Sequence, residues 1–161
     1  RAFDLVRDFT IPLPVTVIAE LLDIEQARQE DFKRWSDCLI KILNDREGPE
    51  WLQARAGVYE VIAFFGAELD ARSANFAGRR DILAVLLAAE AEGRIDRREM
   101  VAYAILLLTG GNETTTNLLG GMTLALLEHR DQLALLEDEP TLIVNAIEEG
   151  LRYCSPVQGV Y

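Results

Sequence analysis

The stretch Thr109-Gly110-Gly111-Asn112-Glu113-Thr114-Thr115-Thr116-Asn117 lies inside a long apolar-rich segment that no proline interrupts from Met100 to about Glu128. Such a segment predicts one helix roughly 45 Å long at 1.5 Å per residue. Its central turns are apolar nearly all round, which predicts burial. The quoted stretch is the poorest helix former within it, since each glycine costs about 1 kcal/mol relative to alanine and the threonines add smaller penalties. Two readings of that penalty stand side by side. In one, small residues let a neighbouring backbone approach and threonine hydroxyls bond back to carbonyls one turn earlier. In the other, the glycines clear a face for a flat ligand, while Glu113 and Thr114 set a carboxyl and a hydroxyl beside it. A locally opened turn would also leave carbonyls free to hold water.

Working outward, helical periodicity recurs in almost every window and β-branched residues never alternate with polar ones over a useful length. The predicted class is all-α. Pro12 and Pro14 open a short buried helix through Val15-Thr16-Val17-Ile18-Ala19-Glu20-Leu21-Leu22, because a fixed proline φ suits a first turn. Between Glu25 and Leu43 the apolar residues Phe32, Trp35, Leu39, Ile42 and Leu43 form one stripe of a surface helix. Asn44-Asp45-Arg46-Glu47-Gly48-Pro49 is a polar break, after which Trp51, Ala54, Val58, Val61, Phe65 and Leu69 mark a second amphipathic helix. Asn75 to Arg80 breaks the pattern again before a compact helix over Ile82 to Ala89. Asp96 with Glu99 has the spacing of a capping box and marks the start of the long helix. Downstream, Asp131 to Leu136 predicts a short helix and Thr141 to Tyr153 a final one, stopped by Ser155-Pro156.

The chain has 161 residues, enough for one core, and 16 Lys and Arg against 27 Asp and Glu give a formal charge of −11. That balance repels phosphate backbones and anionic lipid surfaces, so neither nucleic acid nor membrane is an expected partner. No apolar run approaches the length of a membrane span and no leader pattern opens the sequence, so the expected location is cytoplasmic. Cys38 and Cys154 are far apart with no CxxC spacing and read as reduced thiols. His129, the only histidine, falls at the predicted end of the long helix, where positive charge suits the helix dipole. Arg1 at the first position and the extended-looking Pro156 to Tyr161 read as cut ends.

Gly110-Gly111-Asn112-Glu113-Thr114 resembles the oxygen-binding signature of the central helix in cytochromes P-450: a small residue, glycine, any residue, an acid, threonine. Downstream, Glu149-Gly150-Leu151-Arg152 is similar to the family's Glu-x-x-Arg motif. The flanks resemble soluble bacterial members as well, in Pro12 to Leu22, in Leu124 to Gln132, and in Leu151-Arg152-Tyr153 with Ser155-Pro156-Val157-Gln158. The resemblance covers the entire chain and implies the central helical portion of that fold, whose complete form is mainly α with small sheets. It implies a haem-dependent monooxygenase that inserts one atom of dioxygen into a small organic substrate, with thiolate-ligated haem and a ferredoxin- or flavodoxin-type electron donor. By position in the family, Thr114 and Glu113 would be catalytic, the hydroxyl bonding the oxygen under activation and the acid helping to bring protons. Gly110, Gly111 and Thr115 would border the cofactor, and Leu106, Thr109 and Val157 would face substrate. Glu149 and Arg152 would be a structural pair, buried in the family and completed by a later segment. The helices over about 25–74 resemble the access lid, with the central helix at about 97–128 and the Glu-x-x-Arg helix at about 141–153.

The sequence departs from the family pattern where the metal is concerned. The cysteine that ligates the haem iron stands in a glycine-rich loop well after Glu-x-x-Arg, and Cys154, two residues after Arg152, lacks that context. No metal ligand is therefore assigned, and the chain alone is expected to be an inactive fragment. The alternatives are a non-enzymatic helical domain, in which Gly110-Gly111 is a packing notch, and an inert truncated product.

Overall fold

The computed structural model describes residues 2–44 and 47–157, and among them every regular element is helical. The α-helices are α1 (Pro12–Leu21), α2 (Gln29–Asn44), α3 (Pro49–Arg72), α4 (Ile82–Ala91), α5 (Arg97–Glu128), α6 (Arg130–Asp138) and α7 (Ile143–Cys154). A π-helical turn at Val6–Thr10 and 3-10 turns at Gln26–Arg28 and Pro140–Leu142 accompany them. Asp45 and Arg46 of the polar break, and residues 158–161, including Gln158, lie outside the described residues. The chain forms two compact units, one of residues 14–112 and one of residues 1–13 with 113–161. Their boundary falls inside α5, between Asn112 and Glu113, so each half of the quoted stretch belongs to its own unit.

The larger unit is built on aliphatic and aromatic stripes. Val15, Ile18 and Leu22 meet Phe32 and Trp35 of α2, Val61, Phe65 and Leu69 of α3, Leu83 and Leu87 of α4, and Met100, Ala104 and Leu108 of α5. The α2 and α3 stripes fuse through rings: Trp35 and Phe64 have centroids 4.9 Å apart, and Phe32 meets Phe64 edge-on at 6.2 Å. Above them Trp35 Nε1 donates to Glu60 at 3.3 Å and Arg34 pairs with the same carboxylate at 2.7 Å.

Polar geometry sets where these helices start and stop. Asp96 N donates to Glu99 Oε2 at 2.8 Å and Glu99 N to Asp96 Oδ1 at 2.9 Å, the two reciprocal bonds of a capping box at the head of α5. Asp81 caps α4 by accepting from Ala84 N at 3.0 Å. Past the end of α1 the chain turns through Asp23 at φ +51°, a left-handed conformation that a non-glycine residue adopts only with support. The support is Arg72, 9% exposed, which donates to Asp23 O at 2.7 Å and pairs with Glu68, while Arg79 pairs with Asp23 and Asp81.

In the smaller unit, the π turn follows from proline chemistry. Pro12 and Pro14 have no N–H, so the carbonyls of Asp8 and Thr10 lose the donors that an α-helix would bring four residues later. The turn widens, with Ile11 N donating to Val6 O at 3.0 Å. The Thr116 hydroxyl, far along the chain, donates to Thr10 O at 3.0 Å. Helix α7 lies against the second half of α5 through small residues: a Cβ on Gly121 would stand 3.2 Å from Cys154 Sγ, and one on the buried Gly150 only 2.7 Å from Met122 Sδ. No helix among the described residues is long and apolar enough to cross a membrane.

Candidate active site on the central helix

Burial along α5 corrects the expectation of a helix enclosed all round. In its first half only Met100, Ala104, Leu108 and Asn112 are buried, a single stripe at four-residue spacing, whereas Tyr103 is 50% and Leu106 64% exposed. The physical reason is that this half has core neighbours on one side alone, so its apolar residues off the stripe stay open. The locally opened turn is also not observed, because α5 is α-helical without interruption through the glycines and threonines.

The two glycines have opposite surroundings. A Cβ added at Gly111 would fall 2.9 Å from Ile18 Cδ1 and 3.3 Å from Ile18 Cγ1, so this glycine admits α1 to close contact. Gly110 is exposed, and a Cβ there would meet nothing within 4 Å among the described residues. Thr109, half-buried, donates its hydroxyl to Ile105 O at 2.9 Å, the back-bond of a threonine inside a helix. Leu106 lies one turn before Gly110 and, like it, is exposed. The packing reading thus accounts for Gly111 and leaves Gly110 unexplained.

Glu113 and Thr114 open the smaller unit's half of the helix, both half-buried, and Thr115 is exposed. Glu149 and Arg152 of α7 form a bidentate pair, with Arg152 Nε to Glu149 Oε2 at 2.8 Å and Nη2 to Oε1 at 2.6 Å. Arg152's hydrogen bonds hold the Glu149 carboxyl below the usual carboxylate range and push the guanidinium up. The Glu149 and Arg152 side chains are 60% and 70% exposed within this chain. Val157 is 50% exposed beyond Ser155, whose φ of +43° ends α7. A concave groove of about 440 Å³ in this unit lies between the end of α5, α6 and α7, lined by Met122, Leu126 and Leu136. Of the candidate residues only Glu149 reaches it.

His129 follows the end of α5, its N–H bonding Ala125 O at 2.9 Å, and it also precedes α6, which it does not cap with its side chain. Its ring stands edge-on to Tyr153 at 6.3 Å. Among the described residues no three His, Cys, Asp or Glu side chains converge as a metal site. The sequence reading missed Asn112, which is 1% exposed with neither amide atom hydrogen-bonded, and it missed Ile18 and Thr10 as partners of the quoted stretch. A signal for Thr10 existed in the proline four residues after it; nothing local pointed to Ile18.

No family model matches the chain. Individual proteins do. Cytochrome P450 107B1 of Saccharopolyspora erythraea is 42% identical over 154 residues, which are 96% of this chain and 36% of that protein. A steroid C26-monooxygenase of Mycobacterium tuberculosis is 37% identical over 163 residues, covering 98% of this chain and 42% of that enzyme. In backbone, the chain superposes on the structure of P450BioI, solved in complex with an acyl carrier protein bearing hexadec-9Z-enoic acid, with a TM-score of 0.84 and 30% identity over 94% of this chain and 38% of that one. The chain therefore spans roughly two fifths of the length of the curated relatives it matches. Matched along nearly its whole length in both sequence and backbone, this chain belongs to the cytochrome P450 family.

Proposed function

We propose that the protein carrying this chain is a cytoplasmic haem-dependent monooxygenase acting on a small organic substrate, with electrons from a ferredoxin- or flavodoxin-type donor. The observation that carries the reading is the division of labour between the two glycines. Close packing uses Gly111 against Ile18, while Gly110, with the exposed Leu106 one turn before it, presents an open apolar face. A flat macrocycle is a ligand of the shape such a face suits. Gly110, with Gly111 and Thr115, would border it. When bound, haem supplies the reductive activation of dioxygen.

The protein's own part is positioning and proton supply. Thr114 holds a hydroxyl proton at Oγ1, one helical turn after Gly110, and the neighbouring Glu113 would help to bring protons. Leu106, Thr109 and Val157 would contact the substrate. Glu149 and Arg152 fix each other's orientation through two charge-assisted bonds and would be a structural pair, not a catalytic one. Helices α2 and α3, tied by their ring cluster and the Arg34–Glu60 pair, would serve as the access lid.

The test uses the haem-loaded full-length protein. Its carbon monoxide difference spectrum should show the red-shifted band of thiolate ligation, and turnover should yield an oxygenated product. Thr114→Ala should leave haem content and substrate binding nearly unchanged while hydrogen peroxide replaces much of the product. Glu113→Gln should slow turnover and enlarge its solvent deuterium effect. Full coupling in Thr114→Ala would make that threonine a packing residue and remove it from the proposed chemistry.

A further inference from the structure

Asn112 ends the buried stripe of α5 in the larger unit, four residues after Leu108 and next to the glycine that packs on Ile18. It is 1% exposed, and neither Oδ1 nor Nδ2 has a hydrogen-bond partner among the described residues. An amide buried in this way loses its hydration at both polar atoms, a cost that nothing among the described residues offsets. Folded proteins satisfy such groups, with water where protein atoms do not reach. The rest of the stripe, Met100, Ala104 and Leu108, and the Ile18 side chain beside Gly111 are hydrocarbon or thioether, and none donates a hydrogen bond.

We propose that the Asn112 carboxamide is the binding site of an internal water molecule on the core side of α5. A carboxamide carries a donor and an acceptor side by side, so a single water can accept from Nδ2 and donate to Oδ1 in a closed ring. That supplies two of the roughly two to four partners an ordered buried water takes. The bound water satisfies the amide without a second polar side chain and fixes the plane of the Asn112 side chain at the turn that leads into Glu113. The inference stands on the buried amide alone and is independent of any monooxygenase activity.

The full-length protein provides the test through two readouts. A crystal structure at a resolution that shows ordered water should place density within hydrogen-bond distance of both amide atoms. Magnetic relaxation dispersion of the solvent nuclei should count one fewer long-lived internal water in Asn112→Leu than in the unmodified protein, because leucine keeps the branched heavy-atom skeleton and has no polar atom. An amide found bonded directly to a protein group, or an unchanged water count in Asn112→Leu, overturns the proposal. Should the leucine variant fail to fold, the crystal structure of the unmodified protein decides alone, and absence of density at the amide overturns it equally.

Discussion

Gly110 and Gly111 are adjacent, yet a methyl group added to each meets a different world. At Gly110 the added Cβ contacts nothing within 4 Å among the described residues, so alanine there should gain helix propensity of about 1 kcal/mol at little steric cost. At Gly111 the same gain is opposed by Ile18 Cδ1 at 2.9 Å and Cγ1 at 3.3 Å; the terminal methyl can rotate away, but the γ carbon moves only with χ1. In the full-length protein Gly110→Ala should therefore unfold at higher denaturant than Gly111→Ala. If Gly110 borders the haem, its alanine variant should also retain less haem per molecule, read from the Soret absorbance, despite being the more stable protein. A Gly110→Ala variant that is both more stable and fully loaded would leave the open face without a cofactor role. The same residue scale shows where the sequence stops being informative: the two glycines are indistinguishable as letters, and only the position of Ile18, over ninety residues earlier, separates them.

Helices were legible wherever a local rule had a local partner. The Asp96/Glu99 box spans four residues and appears in space as its spacing implied, with both reciprocal bonds made. The π turn at Val6–Thr10 had a local cause in Pro12 and Pro14, which read in sequence only as the start of a helix, whereas the burial of α5 on one stripe was not legible, because it depends on the α1 to α4 core that lies opposite in space. Asp81 is an intermediate case, a cap residue whose electrostatics come from structure. Burial of its carboxyl opposes ionisation, but Arg79 and the Ala84 N–H outweigh it and hold Asp81 below the usual carboxylate range. A depressed folded-state value means that its stabilisation is present above the unfolded carboxylate pKa and is lost as pH falls through the folded one. Asp81→Asn keeps an N-cap acceptor and removes the charge. Its unfolding midpoint should accordingly lie below that of the unmodified protein near neutrality and converge with it below about pH 4. A constant difference across that range would show that Arg79 contributes nothing through Asp81.

At the scale of the molecule, the two units are unequally finished. The larger has a continuous core, whereas in α6 no residue is buried and in α7 only Gly150 is, with Ile143, Val144, Ile147, Leu151 and Tyr153 all exposed. Exposed apolar side chains of that kind offer hydrophobic molecules general contact, so haem added to the isolated 161-residue chain should associate weakly. Specific thiolate ligation is a separate matter, since it needs an ionised and accessible sulfur. Cys38 is half-buried, burial pushes its thiol up, and its sulfur is pressed against Gly57, where a Cβ would stand 2.5 Å away. Cys154 is half-buried against Gly121 on the second half of α5. Cys38 is therefore disfavoured as a thiolate ligand, and the Cys154 sulfur is occupied by packing on α5. The isolated chain mixed with haem and reduced under carbon monoxide should thus lack the red-shifted band expected of the full-length protein, and Cys38→Ser and Cys154→Ser should leave its spectrum unchanged. A stoichiometric thiolate-type band from the chain alone, abolished by either serine variant, would instead identify that cysteine as the iron ligand and require the surrounding helices to rearrange on binding.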